Sequence, residues 1–303
     1  MMKHIFIVNP ASGKENSTDI IKSELEKLGS DVDWEVYVTQ SPGDATQYIR
    51  QHCEAHREPV RFYACGGDGT LHEAANGIVG YAFASLGCVP RGSGNDFVKY
   101  YGEKAIFLDL KKQISGRTVS IDLIRVGARY AINAVHFGFD SCVADLIPKL
   151  RRNKLIGGRL AYPMAVAKSL MTGMRHQCCV EVEGELLNEA KEMLLCTIAN
   201  GQYVGGSYRC APKSKNDDGE LEVCVMQPIS VLKFLHIAGV YQAGKHFEDA
   251  RFESFMRYRR GKKIHVMAPE GFVYSMDGEI IEGNDFVAEV VPGAIHFIVP
   301  EGC

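Results

Sequence analysis

At 303 residues the chain has room for two domains or one large one. Its 46% hydrophobic and 23% charged residues are ordinary for a globular protein, and a formal net charge of −3 excludes a global pull toward nucleic acid or anionic lipid. No apolar run reaches membrane-spanning length. The opening run, Lys3 to Val8, is too short for an export signal and reads as a first strand. The ten cysteines are scattered without paired Cys-x-x-Cys spacing, so they read as reduced, buried thiols in a cytoplasmic protein.

The first strand ends in the polar turn Asn9 to Lys14. Ser17 to Leu28 has apolar residues at helical spacing (Ile20, Ile21, Leu25, Leu28) and stops at Gly29. Trp34 to Val38 is a second strand, closing on Thr39, and Ala45 to His56 a helix. Val60 to Cys65 is a buried strand running into Gly66-Gly67-Asp68-Gly69-Thr70, after which Leu71, Ala74 and Ala75 begin another helix. Such a strand, glycine turn and helix start suit an anion, because small residues let backbone amides approach a phosphate. Asp68 would repel that phosphate unless a divalent cation lay between them. Ala82 to Val89 is a fourth strand and leads into Gly92-Ser93-Gly94-Asn95-Asp96-Phe97. Alternating strands and helices predict a doubly wound, Rossmann-like α/β domain over residues 1–122. In such a sheet the loops at Asn9, Thr39, Gly66 and Gly92 converge on one edge.

The pattern then changes. Short β-like runs (119–126, 130–137, 178–182, 191–199, 221–227, 263–268, 272–276 and 286–291) predict a largely antiparallel β-sandwich over 123–293. Helical inserts interrupt it at Val143 to Gly173 and Val231 to Arg257. A last strand, Ala294 to Val299, is a candidate to return to the first domain.

Several familiar motifs fail. Gly13-Lys14 is not a Walker loop, because Glu15 and Val8 occupy its Ser/Thr and first Gly positions. Gly-x-Gly-x-x-Gly ends on His72 or Phe97 instead of glycine. In the zincin pattern Asn76 replaces the second histidine, and no protein-kinase catalytic loop is present.

Five short motifs nevertheless occur in order: Asn9-Pro10-Ala11-Ser12-Gly13, Gly66 to Thr70, Gly92 to Phe97, Asp217-Asp218-Gly219-Glu220-Leu221 and Asp277-Gly278-Glu279. Together, and across essentially the whole chain, they resemble the soluble bacterial diacylglycerol kinase family of lipid kinases, related to sphingosine kinases and NAD kinases. The resemblance implies an active site between two domains, with ATP at Asn9, Pro10, Ala11, Ser12, Gly13, Thr39, Gly66, Gly67, Asp68, Gly69, Thr70, Leu71, His72 and Ser93. It implies Mg²⁺ near Asp68, Asp96 and Asp122, and a second, structural metal held by main-chain oxygens of Lys215 and Glu220 and the carboxylate of Asp218. Glu279 matches the family's general base, with Asp68 and Asp277 beside it in the catalytic set. By itself Asp277-Gly278 is also a common hairpin-turn pair, and an extended segment would put Asp277 and Glu279 on one face. The chain departs from the family at Lys99, where an arginine is common, and at His72, where asparagine is.

The substrate implied is a lipid hydroxyl, diacylglycerol first, giving phosphatidic acid for phospholipid biosynthesis. Another lipid, a sphingoid base held by Asp140, NAD, or an idle nucleotide sensor on the same fold remain open. Cys142 to Arg175 mixes Lys149, Arg151, Arg152, Lys154, Arg159, Lys168 and Arg175 with apolar residues such as Leu155, Ile156 and Leu160, a pattern suited to peripheral contact with a membrane. The basic run Arg257 to Lys263 suits it too, or is a solvated face. A sheet edge or the insert helices could serve a homodimer.

Overall fold

The computed structural model describes residues 2–13, 17–29, 32–151 and 161–303. Lys14, Arg152, Lys154, Leu155, Ile156, Arg159 and Leu160 lie outside the described residues. In chain order the first unit is β1 (Lys3–Val8), α1 (Ser17–Glu26), β2 (Asp33–Val38), α2 (Asp44–His56), β3 (Val60–Gly66), α3 (Asp68–Ile78), β4 (Ala84–Pro90), α4 (Lys104–Leu108) and α5 (Leu110–Ile114). Then come β5 (Arg117–Val126), β6 (Arg129–Ala131), β7 (Ala134–Gly138), α6 (Phe139–Arg151), α7 (Ala161–Thr172), β8 (His176–Gln177), β9 (Cys179–Val182) and β10 (Glu185–Leu186). The chain continues through β11 (Glu192–Met193), β12 (Leu195–Ala199), β13 (Leu221–Met226), α8 (Val231–Gln242), β14 (Met256–Gly261), β15 (Lys263–Met267), β16 (Val273–Met276), β17 (Glu279–Glu282) and β18 (Asp285–Val299).

The strands β1 to β4 are parallel in the order β2-β1-β3-β4. Their near-continuous apolar runs follow from burial on both faces. In β1, Ile5 and Ile7 face α2 and α3, whereas Phe6 and Val8 face α1 through Ile21 and Leu25. The strand order reverses between β1 and β3, so the loops after those strands open a crevice at their carboxyl ends.

The second unit is a sandwich. Six antiparallel strands, β14-β13-β12-β7-β16-β17, form one sheet. It faces the far end of the large sheet, where β9, β15, β18 and β5 lie. Val135, Phe137, Ile198, Val223 and Met276 from the first meet Ile124, Val180, Val182, Ile264 and Ala288 from the second. The other face of the six-stranded sheet carries α6, α7 and α8, with Leu195, Ala199 and Met226 against Phe139, Ala165 and Ile237. The α/β domain and the antiparallel sandwich are thus both present, as the sequence pattern predicts.

Some elements differ from the sequence reading. The runs 286–291 and 294–299 are one strand, β18, with an irregularity between Val291 and Ile295. Its first part pairs β15, its last part pairs β4 in parallel, and β5 accompanies both. The run 130–137 breaks into β6 and β7, because the Ile132, Asn133 and Ala134 amides turn away to a side-chain acceptor, Asp277. The second insert is α-helical only to Gln242, with one 3₁₀ turn at Ala250–Phe252, and it ends in β14, because Met256 to Gly261 is too basic to read as a strand from sequence. Its arginines find partners: Arg260 reaches Asp218, Glu220 and Glu222, while Arg259 lies 2.6 Å from Glu185. Among the described residues Arg257 meets only the Glu253 and Met256 carbonyls, so two of the strand's three arginines are neutralised and one keeps its charge. All ten thiols are unpaired, and those of Cys65, Cys88 and Cys196 sit in the core, where burial pushes them up.

Candidate active site

Three glycine-bearing loops meet at the carboxyl ends of β1, β3 and β4. Asn9 ties the first to the second: its Nδ2 donates to Thr70 Oγ1 at 3.1 Å and its Oδ1 accepts from the Ala11 amide at 3.0 Å. The second and third touch main chain to main chain. A Cβ on Gly92 would stand 2.4 Å from Gly67 Cα, so no larger residue fits there. Asp68, the first residue of α3, accepts from the amides of Asn95 (2.7 Å) and Asp96 (2.6 Å) and so holds the third loop against the helix start.

Asp68 and Asp96 share a small space. A Cβ on Gly94 would lie 2.6 Å from an Asp68 oxygen and 3.6 Å from an Asp96 oxygen. Burial, and then the Asp96 charge, raise the Asp68 pKa above the ordinary carboxylate value, despite the two amide bonds. Asp96 also binds the second domain: it accepts from the Gly206 amide at 3.0 Å and from Lys99 Nζ at 2.6 Å. Lys99 in turn donates to the Gly206 carbonyl. The lysine at this position therefore serves as a clasp between the domains.

Opposite these loops stands the hairpin of β16 and β17. Asp277 (φ +50) and Gly278 (φ +100) make its two-residue turn. The turn separates the two carboxylates that an extended strand would have placed together. Asp277 points inward, its side chain 2% exposed, and accepts from the Ile132, Asn133 and Ala134 amides and from His72 Nδ1 at 2.9 Å. Glu279 is exposed, lines the cavity, and lies near Gly69.

The His72–Asp277 bond joins α3 to the second domain. Burial works against a charged ring, but the bond to Asp277 and the charges of Asp277, Glu279 and Glu73 outweigh it, so the His72 pKa is raised. A histidine with a raised folded value adds stability that is full below its ordinary 6.5 and is lost as pH rises through the folded value. The stability gap between the wild type and His72→Asn, read from urea midpoints, is therefore expected to be widest below pH 6.5 and to narrow above it. A gap independent of pH would show that folding leaves the His72 pKa unchanged.

A cavity of about 1160 Å³ connects these parts. One end is walled by the loops around Ser12, Gly67 and Ser93, with Arg91 and Lys104 nearby. The other is an apolar arm between α6, α7 and α8, lined by Val143, Ile147, Val166, Phe234 and Tyr241. Its polar side chains include His136 and Asp140. Burial pulls His136 down to about 4, so the ring is neutral. Asp140, in apolar surroundings and without a hydrogen-bond partner among the described residues, is pushed up to about 6 by burial. The sequence reading did not single out Arg91, Lys104, His136 or the arm, whose residues look like ordinary core.

Of the residues named from sequence, the cavity wall holds Ala11, Ser12, Gly13, Gly67, Asp68, Gly69, Leu71, Ser93, Asp96, Asp277 and Glu279. Asn9, Pro10, Thr39, Gly66, Thr70 and His72 are not on that wall; Pro10 is exposed, and the Thr39 hydroxyl faces the Val8 carbonyl. Asp122 is away from the cavity, with one oxygen on the Gly219 amide (2.7 Å) and the other on the Gly293 amide (2.8 Å). It braces the Asp217–Glu220 turn against β18. At that turn Arg260 contacts both Asp218 and Glu220, and Lys215 is exposed. A guanidinium thus already pairs with the Asp218 carboxylate, the one side-chain ligand that the resemblance implies for a second metal ion. Asp68 and Asp96 fit a metal ion: of the two crowded carboxylates beside the glycine loops, Asp96 has Lys99 as a cationic partner and Asp68, among the described residues, has only the Asn95 and Asp96 amides, so one negative charge is left over.

Residues 3–126 match the family model described as the diacylglycerol kinase catalytic domain, and residues 133–299 match the YegS C-terminal NAD kinase beta sandwich-like domain. The chain is 26% identical over 308 residues to "Probable lipid kinase YegS-like" of Yersinia enterocolitica, covering 100% of this chain and 99% of that one. It is 28% identical over 308 residues to a diacylglycerol kinase of Bacillus subtilis, covering 99% and 97%. In fold it is similar to the crystal structure of a diacylglycerol kinase from Bacillus anthracis, with a TM-score of 0.74, 24% identity and coverage of 99% and 97%. No helix among the described residues is long and apolar enough to cross a membrane. With both domains matched from end to end, the chain belongs to the diacylglycerol kinase and YegS family of lipid kinases.

Proposed function

We propose that the protein transfers the γ-phosphate of ATP to a lipid hydroxyl in a Mg²⁺-dependent reaction, with diacylglycerol, giving phosphatidic acid, as the first acceptor. One observation carries the reading: a single cavity joins a crevice of glycine loops to an apolar arm, with Glu279 on its wall. The main chain of the loops at Gly13, Gly67 and Gly92 cradles the phosphates, and Arg91 and Lys104 offset their charge. Asp68 and Asp96 would hold Mg²⁺, which neutralises charge on the phosphoryl oxygens when bound. Glu279 accepts the proton of the lipid hydroxyl as its oxygen attacks the γ-phosphorus, while the bond from that phosphorus to the ADP oxygen breaks. Asp277 and His72 do not touch the reacting atoms; they position the hairpin that carries Glu279. The protein would act in the cytoplasm, at the inner face of the membrane.

Asp140 favours a second reading. A carboxylate without a protein partner in an apolar arm suits an acceptor that brings its own donor, such as the ammonium group of a sphingoid base. The test is transfer of labelled phosphate from ATP, with Mg²⁺, to lipids in mixed micelles. Label in diacylglycerol is expected, unchanged by Asp140→Asn. Label in a sphingoid base that Asp140→Asn removes would establish the second reading. Label only in NAD or another soluble alcohol, or bound nucleotide with no transfer, would overturn both.

A further inference from the structure

The two helices that wall the apolar arm with Val166 and Phe234 turn their other sides to solvent, and those sides are apolar. On α8, Leu232 is 81% exposed and Leu235 56%; on α7, Met171 is 85% exposed and Met164 39%. Seven large hydrophobic side chains are exposed among the described residues, and four of them are on these two helices. They therefore form a concentration, not a scatter. The spacing explains it. In α8 the inward residues Ile237 and Tyr241 fall four apart, which leaves Leu232, Leu235 and Gly239 on the outer side. In α7, Met164, Ala167 and Met171 repeat the pattern.

Neither helix carries a carboxylate. Their basic residues are Lys168 on α7 and Lys233 and His236 on α8. The carboxylate that faces His236, Asp249, is itself paired with Arg251, so the helices present an apolar face with lysines beside it, which matches an anionic bilayer where acyl chains take the leucines and methionines and headgroups take the lysines. The neighbouring interior points the same way. A lipid acceptor that must enter an apolar arm avoids crossing water only where the helices forming that arm rest on the membrane.

Resting on the lipid-kinase reading above, we infer that the outer faces of α7 and α8 are the surface by which this protein docks on an anionic lipid bilayer and draws its acceptor into the arm. Leu232 and Leu235 are the main anchors. The basic strand β14, whose Arg259 and Arg260 are tied up in ion pairs, is not the docking element.

The experiment is cosedimentation of the full chain with vesicles of phosphatidylcholine, alone or mixed with phosphatidylglycerol. Binding to the mixed vesicles, weakened by salt, is expected. Leu232→Asp with Leu235→Asp is expected to lower the partition coefficient at least about tenfold. Met171→Asp, on the other helix, is expected to lower it independently. Both variants alter exposed positions, so the melting temperature and transfer to a short-chain, water-soluble acceptor stay unchanged. Absence of wild-type binding to either vesicle, or variants that bind as the wild type does, would overturn the inference. So would a dimer, seen by light scattering, that Leu232→Asp separates without changing vesicle binding. Because binding is read without turnover, failure to find a lipid acceptor is a separate result from failure to dock.

Discussion

Replacing Glu279 with glutamine is expected to lower kcat for phosphate transfer by about 10²- to 10⁴-fold, the usual contribution of a positioned general base. The change is nearly isosteric. Glu279 is exposed and, among the described residues, holds no hydrogen bond that folding would miss. Nucleotide affinity and thermal stability should therefore match the wild type. That combination separates a proton acceptor from a residue that merely shapes the cavity, because a shaping residue would alter binding as well. Single-turnover transfer beside a nucleotide titration provides both readouts. A decrease of less than tenfold in the chemical step would remove Glu279 from its role.

Asp277→Ala is expected to do the opposite: a large loss of stability, with activity failing as a consequence. Its carboxylate serves the amides of Ile132, Asn133 and Ala134 and the ring of His72. Removing it leaves these buried donors without an acceptor, each at about 1–3 kcal/mol, so the total should reach at least about 3 kcal/mol. The left-handed backbone at Asp277, φ +50, adds to the penalty for alanine. Urea unfolding at neutral pH measures the effect. Asp277→Asn, which keeps one acceptor oxygen, should fall between alanine and the wild type. An alanine variant within 1 kcal/mol of the wild type would show that water replaces the lost acceptor at little cost.

The contrast between these neighbours also marks how far sequence could reach. The loops at Asn9, Gly66 and Gly92 were legible because buried parallel strands are continuous apolar runs, and their carboxyl ends share one edge of the sheet. The Asp-Gly pair was legible as a turn. The opposite roles of Asp277 and Glu279 were not, because Asp277's acceptor duty depends on amides some 140 residues earlier in the chain. Arg260 was hidden in the same way. As part of a basic run it looked free, and only folding sets it against Asp218, Glu220 and Glu222. The apolar arm left no trace in sequence at all. Val143, Val166, Phe234 and Tyr241 come from three helices, and each residue alone is indistinguishable from packed core.

The strand β18 bears on how the protein is made. The outer side of β4 pairs with His296 and Phe297, so the parallel sheet keeps an open edge until residues near 296 leave the ribosome. Chains emerge at about 5–20 residues per second. For the ~200 residues between β4 and that partner, the nascent first domain waits of the order of ten seconds or more with an unpaired strand exposed. Both domains are then closed by the same fifteen-residue segment, β18, in what amounts to a single late step. A ribosome stalled before that segment would hold two unfinished domains instead of one finished and one missing.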